Sequence, residues 1–161
     1  MAMTTKEAVR NYQPRPGDYV PRRVVTRKDL TAADLPPLMV VPDPRGSYRY
    51  PLLQFIVDWN LSDDQARLVA EPPVYDGDDP VLLPAIAVVV HALAERAGIP
   101  IPGWVFEHRA PTDVALFVPD YMPKYAEWLK RRSHPLSNYH RVHIHPRMLD
   151  KGTDDWWLPW D

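Results

Sequence analysis

His143 and His145 stand one residue apart in Val142-His143-Ile144-His145. In an extended strand that spacing turns both imidazoles to one side and sends Val142 and Ile144 to the other. Two imidazoles on one face are the beginning of a metal site, but a catalytic zinc or iron centre takes a third protein ligand. His140 falls on the opposite face of a regular strand, so His108, His134 or an aspartate would have to come from elsewhere in the fold. This pair carries the enzymatic alternative, a metal-dependent enzyme built on a His-x-His strand.

No further catalytic pattern accompanies it. The chain has no Gly-x-Ser-x-Gly, no His-Glu-x-x-His and no phosphate-cradling loop, and with only six glycines a nucleotide loop has little to be made from. Acids are paired at Asp63-Asp64, Asp78-Asp79 and Asp154-Asp155, where adjacent carboxylates read as caps and solvated turns rather than as an acid/base couple. The expectation is a non-enzymatic chain without a cofactor.

Binding residues are more plentiful. Residues 1 to 28 hold seven cations against two acids, a net charge of +5. Arg22, Arg23, Arg27 and Lys28 could contact phosphates there, with Tyr12, Tyr19, Tyr48 and Tyr50 nearby for stacking. Trp156, Trp157 and Trp160 crowd into five residues beside Asp154, Asp155 and Asp161. Exposed tryptophans at that density need a surface to cover them, either on their own domain or on another chain, and tryptophan and arginine are the usual interface anchors. Trp156, Trp157, Trp160, Arg131 and Arg132 are therefore the candidate partner-binding residues.

The elements that must position these groups are short. Twenty prolines in 161 residues argue for frequent chain reversals. Residues 1 to 18 read as a basic flexible arm, and residues 19 to 161 as a single globular domain. Tyr19 to Val25 reads as a strand. Thr31 to Asp34 resembles a capping box that Pro36-Pro37 cuts short. Leu38 to Val41 and Ser47 to Tyr50 flank Pro42-Asp-Pro-Arg-Gly46 and read as a β-hairpin. Pro51 then opens a helix whose Leu52, Phe55, Ile56 and Trp59 share one face, and Ser62 with Gln65 opens a second. The longest helix runs from Pro80 or Pro84 to Ala97, apolar all round and stopped by Gly98, so it belongs at the centre. Asp120 caps a last helix with Met122, Tyr125, Ala126 and Leu129 on one face. The expected class is α+β: a helix-dominant domain with an N-terminal β-hairpin, a short C-terminal strand and a Trp-rich tail.

The chain is long enough to bury a real core. It contains no cysteine, which excludes disulfides and thiolate nucleophiles and fits a cytoplasmic protein. Met1 to Lys6 has no apolar signal core, and the longest apolar run, Val81 to Ala94, is too short to span a bilayer.

Two segments carry a resemblance to a family. Tyr50-Pro-Leu-Leu-Gln-Phe55 is similar to an aromatic-Pro-x-x-Gln-Phe element, and Leu93-Ala-Glu-Arg-Ala-Gly-Ile-Pro-Ile-Pro-Gly-Trp104 to a helix end with its Pro-x-x-Trp link. With the basic helix and the strand at Val142 to His145, they resemble small actinobacterial or phage-borne antitoxin-like regulators over about half the chain. The resemblance implies a non-enzymatic regulator of toxin-antitoxin type that binds another protein, a toxin or host target; a homo-oligomer stands beside it as a separate alternative. In some members of that family an N-terminal domain binds DNA. This chain lacks a clear helix-turn-helix at its front, so nucleic-acid binding through the basic N-terminal region stands as a separate alternative.

Overall fold

The computed structural model describes residues 28–40, 48–118 and 122–152. The expected arm, the strand at 19–25, the hairpin turn at 42–46, the Asp120 cap and the three tail tryptophans lie outside the described residues.

At the centre is α4 (Leu82–Ala97), in which every residue from Pro84 to Ala94 is buried. Pro84 is tolerated because the first turn of a helix needs no internal N–H donors. Gly98 ends the helix at φ 71, and the amides of Gly98 and Ile99 close back on Glu95 and Ala94, the reversal for which glycine has no steric penalty. Each aliphatic side chain sealed around this helix contributes about 1.5–3 kcal/mol.

Against α4 packs α2 (Arg49–Leu61), whose buried residues include Leu52, Phe55, Ile56 and Trp59, the face that its sequence spacing predicts. One polar residue joins them. Asp58 is 3% exposed and accepts hydrogen bonds from the amide of Leu30 at 2.8 Å and from Gln54 Nε2 at 3.0 Å. A carboxylate sunk in an apolar face must be so engaged, and here it ties the 28–40 segment to α2. Ser62, expected to start a helix, instead closes α2, and its hydroxyl accepts from the amide of Asp64 ahead of α3 (Gln65–Val69).

The β-hairpin is not formed. Leu35–Met39 is a helix, α1, with Pro36 and Pro37 in its first turn and Met39 buried. The two prolines start the helix instead of ending it, because first-turn residues lack internal partners for their N–H groups in any case. Arg49 and Tyr50 already belong to α2, with Pro51 likewise inside its first turn, so the described residues of both proposed hairpin arms are helical except Val40 and Tyr48, and none of them is strand. The expected tail strand is corrected as well. Tyr139 and His140 lie in α6 (Ser137–His140), Arg141 turns the chain at φ 59, and only Val142–His143 forms a strand, β2. It pairs in parallel with β1 (Val114–Ala115), Val114 opposite Val142 and Ala115 opposite His143. Between them α5 (Pro123–Arg132) lies on the surface with Leu129 alone fully inserted. Among the described residues the fold is helical, with this two-stranded sheet and short 3-10 turns at Ala32–Asp34, Gly103–Glu107 and Pro146–Asp150. No helix among the described residues is long and apolar enough to cross a membrane.

Candidate functional site

A cleft of about 280 Å³ opens where α2, α5, the turn after β1 and the segment following β2 converge. Its apolar surface comes from Leu53, Leu116, Phe117, Leu129, Ile144 and Met148. Arg49, Arg147 and Lys151 stand at its rim with Tyr125 and His145, and no carboxylate belongs to its lining. The walls are held in place by backbone anchoring. Asn60 Nδ2 donates to the carbonyls of Leu149 at 2.9 Å and Lys151 at 2.8 Å. From α4, Arg96 reaches the same segment through the Leu149 carbonyl and the Asp150 carboxylate, each at 2.6 Å. Phe117 takes φ 66, a left-handed conformation that costs a bulky residue about 1–3 kcal/mol and persists where the surrounding fold imposes it. That one strained aromatic lines the cleft.

The expected histidine pair faces α5 as the strand alternation requires, with Val142 and Ile144 at 0% and 1% exposure on the core side. His143 and His145 nevertheless serve different contacts. His145 stacks on Trp128 with ring centroids 5.7 Å apart, and Trp128 stacks in turn on Tyr125 at 5.3 Å. His145 Nδ1 accepts from the amide of Arg147 at 3.1 Å. His143 is held at both nitrogens, Nδ1 3.0 Å from Ser133 Oγ and Nε2 3.0 Å from Asp113 Oδ1. The structure brings no group of three metal-ligating side chains together among the described residues.

Ser133, His143 and Asp113 have the order of a nucleophile, a base and an orienting acid. Two details make them a structural tie. The Ser133 hydroxyl also donates to the Lys130 carbonyl at 3.0 Å, the usual closure of a helix end. Ser133 directly follows the last turn of α5, where the carbonyl end of the helix presents negative potential and would oppose a developing oxyanion. The hydrogen bond from His143 holds the Asp113 carboxyl below its usual range. Sequence reasoning missed this trio because its members are scattered over three elements and share no spacing; a serine after Lys130-Arg131-Arg132 signals only a helix terminus.

A second histidine pair lies deeper. His140 is fully buried, with Nδ1 2.7 Å from the His108 carbonyl and Nε2 2.8 Å from His91 Nδ1. A carbonyl only accepts, so the His140 proton is assigned to Nδ1, and His91 then donates to the bare His140 Nε2. Burial pushes His140 down to about 4, and burial likewise lowers His91. The edges of Phe106 and Tyr139 meet the His91 ring at centroid distances of 5.1 and 6.4 Å. Both imidazoles are thus neutral packing elements with fixed tautomers.

Among the expected binding residues, Arg131 and Arg132 are exposed on α5, and the Arg132 guanidinium lies 5.1 Å from the Trp128 ring centroid. Lys28 is exposed, whereas Arg22, Arg23, Arg27, Trp156, Trp157 and Trp160 lie outside the described residues. No protein-family model, no curated protein and no solved structure matches this chain.

Proposed function

We propose that this chain is a non-enzymatic regulator of the antitoxin-like kind its motifs resemble, acting in the cytoplasm by binding another protein. The cleft is the observation that supports this reading. It offers six apolar side chains with Arg49, Arg147 and Lys151 and no carboxylate in its lining, Arg147 being paired with Asp150 at 3.4 Å, a combination suited to an apolar or aromatic side chain carried on an acidic segment of a partner. Apolar anchors bring the affinity, while the cations steer encounter and select against basic partners. Beside the cleft, α5 adds Tyr125 at 43% exposure, with Met122 just ahead of it at 41%, together with Arg131 and Arg132, so the binding surface continues along that helix. The strained Phe117 is consistent with a site shaped for contact.

The test is affinity capture of the full-length protein from its native host, beside the full-length Arg49→Glu and Arg131→Glu/Arg132→Glu variants. Arg49, Arg131 and Arg132 are exposed, so charge reversal leaves the core untouched. A stoichiometric protein captured by the parent and lost with Arg49→Glu supports the reading. A captured protein indifferent to all three reversals, or none at all, overturns it.

A further inference from the structure

We infer that the outer face of α5 is a platform for single-stranded nucleic acid, with Lys124, Arg131 and Arg132 contacting phosphates and an unpaired base stacking on the ring ladder that ends at Tyr125. The inference goes beyond the protein-binding reading, because α5 carries it and the cleft shares only Tyr125 with the platform.

The sequence of α5 sets cationic and aromatic groups around one residue. On a helix surface the neighbours of Trp128 are the residues three and four positions away, and these are Lys124, Tyr125, Arg131 and Arg132. All four are exposed. Leu129, the residue sunk into the core, lies about 100° further round the helix. Within α5, four cations face Glu127 as the single acid, a net +3 on a chain whose total is -2.

These cations are available to a ligand. Among the described residues no carboxylate pairs with Lys124, Arg131 or Arg132, and the ion pairs that do form lie on other elements. Arg132 lies over the Trp128 ring, 5.1 Å from its centroid, a stacking contact that leaves guanidinium N–H donors for phosphate oxygens.

The aromatic part is already ordered for stacking. Tyr125 and Trp128 are 12° from parallel with centroids 5.3 Å apart, and Trp128 and His145 are 13° from parallel at 5.7 Å. At the inner end His145 is 6% exposed and accepts from the Arg147 amide at 3.1 Å, which anchors the ladder. Its other end, Tyr125, is 43% exposed. A base laid on Tyr125 extends a stack that folding has already arranged, so little further ordering is required on binding.

That parallel geometry selects the partner. Bases freed from pairing bring flat faces to such a ladder together with one phosphate per nucleotide. A duplex keeps those faces stacked inside, and an acidic peptide supplies charge without a ring at every unit. From Lys124 to Arg132 the helix axis advances about 12 Å, so the platform takes a short run of nucleotides.

Fluorescence anisotropy of the full-length protein with a labelled oligothymidylate of about twelve nucleotides tests the inference. Three phosphate contacts predict a binding constant that falls roughly 20-fold between 50 and 200 mM salt. Tyr125→Ala should weaken binding about fivefold or more, whereas Tyr125→Phe retains it. Arg131→Glu/Arg132→Glu should abolish it. The three side chains are exposed, so none of these changes empties the core. Absence of binding overturns the proposal, and so does binding that survives the α5 charge reversal, which would place the contact elsewhere on the chain. Equal affinity for the same sequence as a duplex or for a polyglutamate peptide, or indifference to Tyr125→Ala, overturns it as well. Failure of oligonucleotide binding beside an intact, Arg49-dependent protein partner removes the platform alone, so the two readings fail separately.

Discussion

Replacing His140 by glutamine separates the two roles of the buried histidine pair, hydrogen bonding and titration. Glutamine can accept from His91 through its side-chain oxygen but does not reproduce the donor to the His108 carbonyl, which His140 Nδ1 makes at 2.7 Å. Leaving a buried carbonyl unpaired costs about 1–3 kcal/mol, so the variant should be less stable at pH 7 by that amount. The pH dependence should change in the opposite sense. His140 titrates at about 4 when folded against an ordinary 6.5. The unfolded chain therefore binds the extra proton between those values, and the contribution of the neutral ring is present above 6.5 and lost as pH falls toward 4. The whole difference corresponds to roughly 3 kcal/mol, of which about 2 kcal/mol disappears between pH 7 and pH 5. His108 and His134, each lowered by burial, lose stability in the same direction and remain in the variant as a common background. Urea denaturation at pH 7.0, 6.0 and 5.0 reads the effect. The parent should weaken more steeply than the variant, narrowing the gap between them by about 2 kcal/mol at pH 5. Parallel curves for the two proteins, or an NMR titration placing His140 near 6.5, would refute the buried neutral pair.

The remaining expectations concern the scaffold of the cleft. Asn60→Ala removes its hydrogen bonds to the Leu149 and Lys151 carbonyls, leaving Leu149 to Arg96 alone, and should cost about 1–3 kcal/mol, with faster hydrogen exchange in residues 146–151 by mass spectrometry. Gly152→Ala sets a Cβ 3.2 Å from Val57 at φ 86, and thermal denaturation should show a loss of about 1–2 kcal/mol. Phe55→Ala empties a fully buried site and should lose about 3–5 kcal/mol in urea. Trp104→Phe deletes the Nε1 hydrogen bond to the Val69 carbonyl at 3.0 Å; about 1 kcal/mol of destabilisation is expected by the same assay.

What the sequence made legible follows physical rules that act locally. The all-apolar helix stopped by Gly98 and the Leu52, Phe55, Ile56, Trp59 face are periodic signals, and both occur in the fold. The alternation at 142–145 correctly divided core from α5-facing side chains although only two of its residues pair as strand. Failures came where one residue type has two uses. Pro36 and Pro37 were read as terminators when they sit in a first turn, and with that error the hairpin appeared where helices begin. No local pattern predicts the burial of Asp58, which depends on an amide 28 positions away. Nothing local announces a parallel pairing between two-residue strands at 114 and 142, nor the meeting of Ser133, His143 and Asp113. The cleft was illegible for the same reason: its lining is drawn from residues 49 to 151, and no spacing rule reaches across four separate segments.

That dispersal governs when the site comes into being during synthesis. Arg49 and Leu53 emerge early, but the opposite wall begins only at Leu116 and the Lys151 rim is translated about a hundred residues after Arg49, an interval of about 5–20 s at ordinary elongation rates. Until then the apolar face of α2 has no partner in the final third of the chain, and the Asn60 side chain has no carbonyls to hold. Competence to bind is therefore acquired late, so a stop shortly after α4 leaves a chain that carries most of its core residues but only Arg49 and Leu53 of the cleft lining.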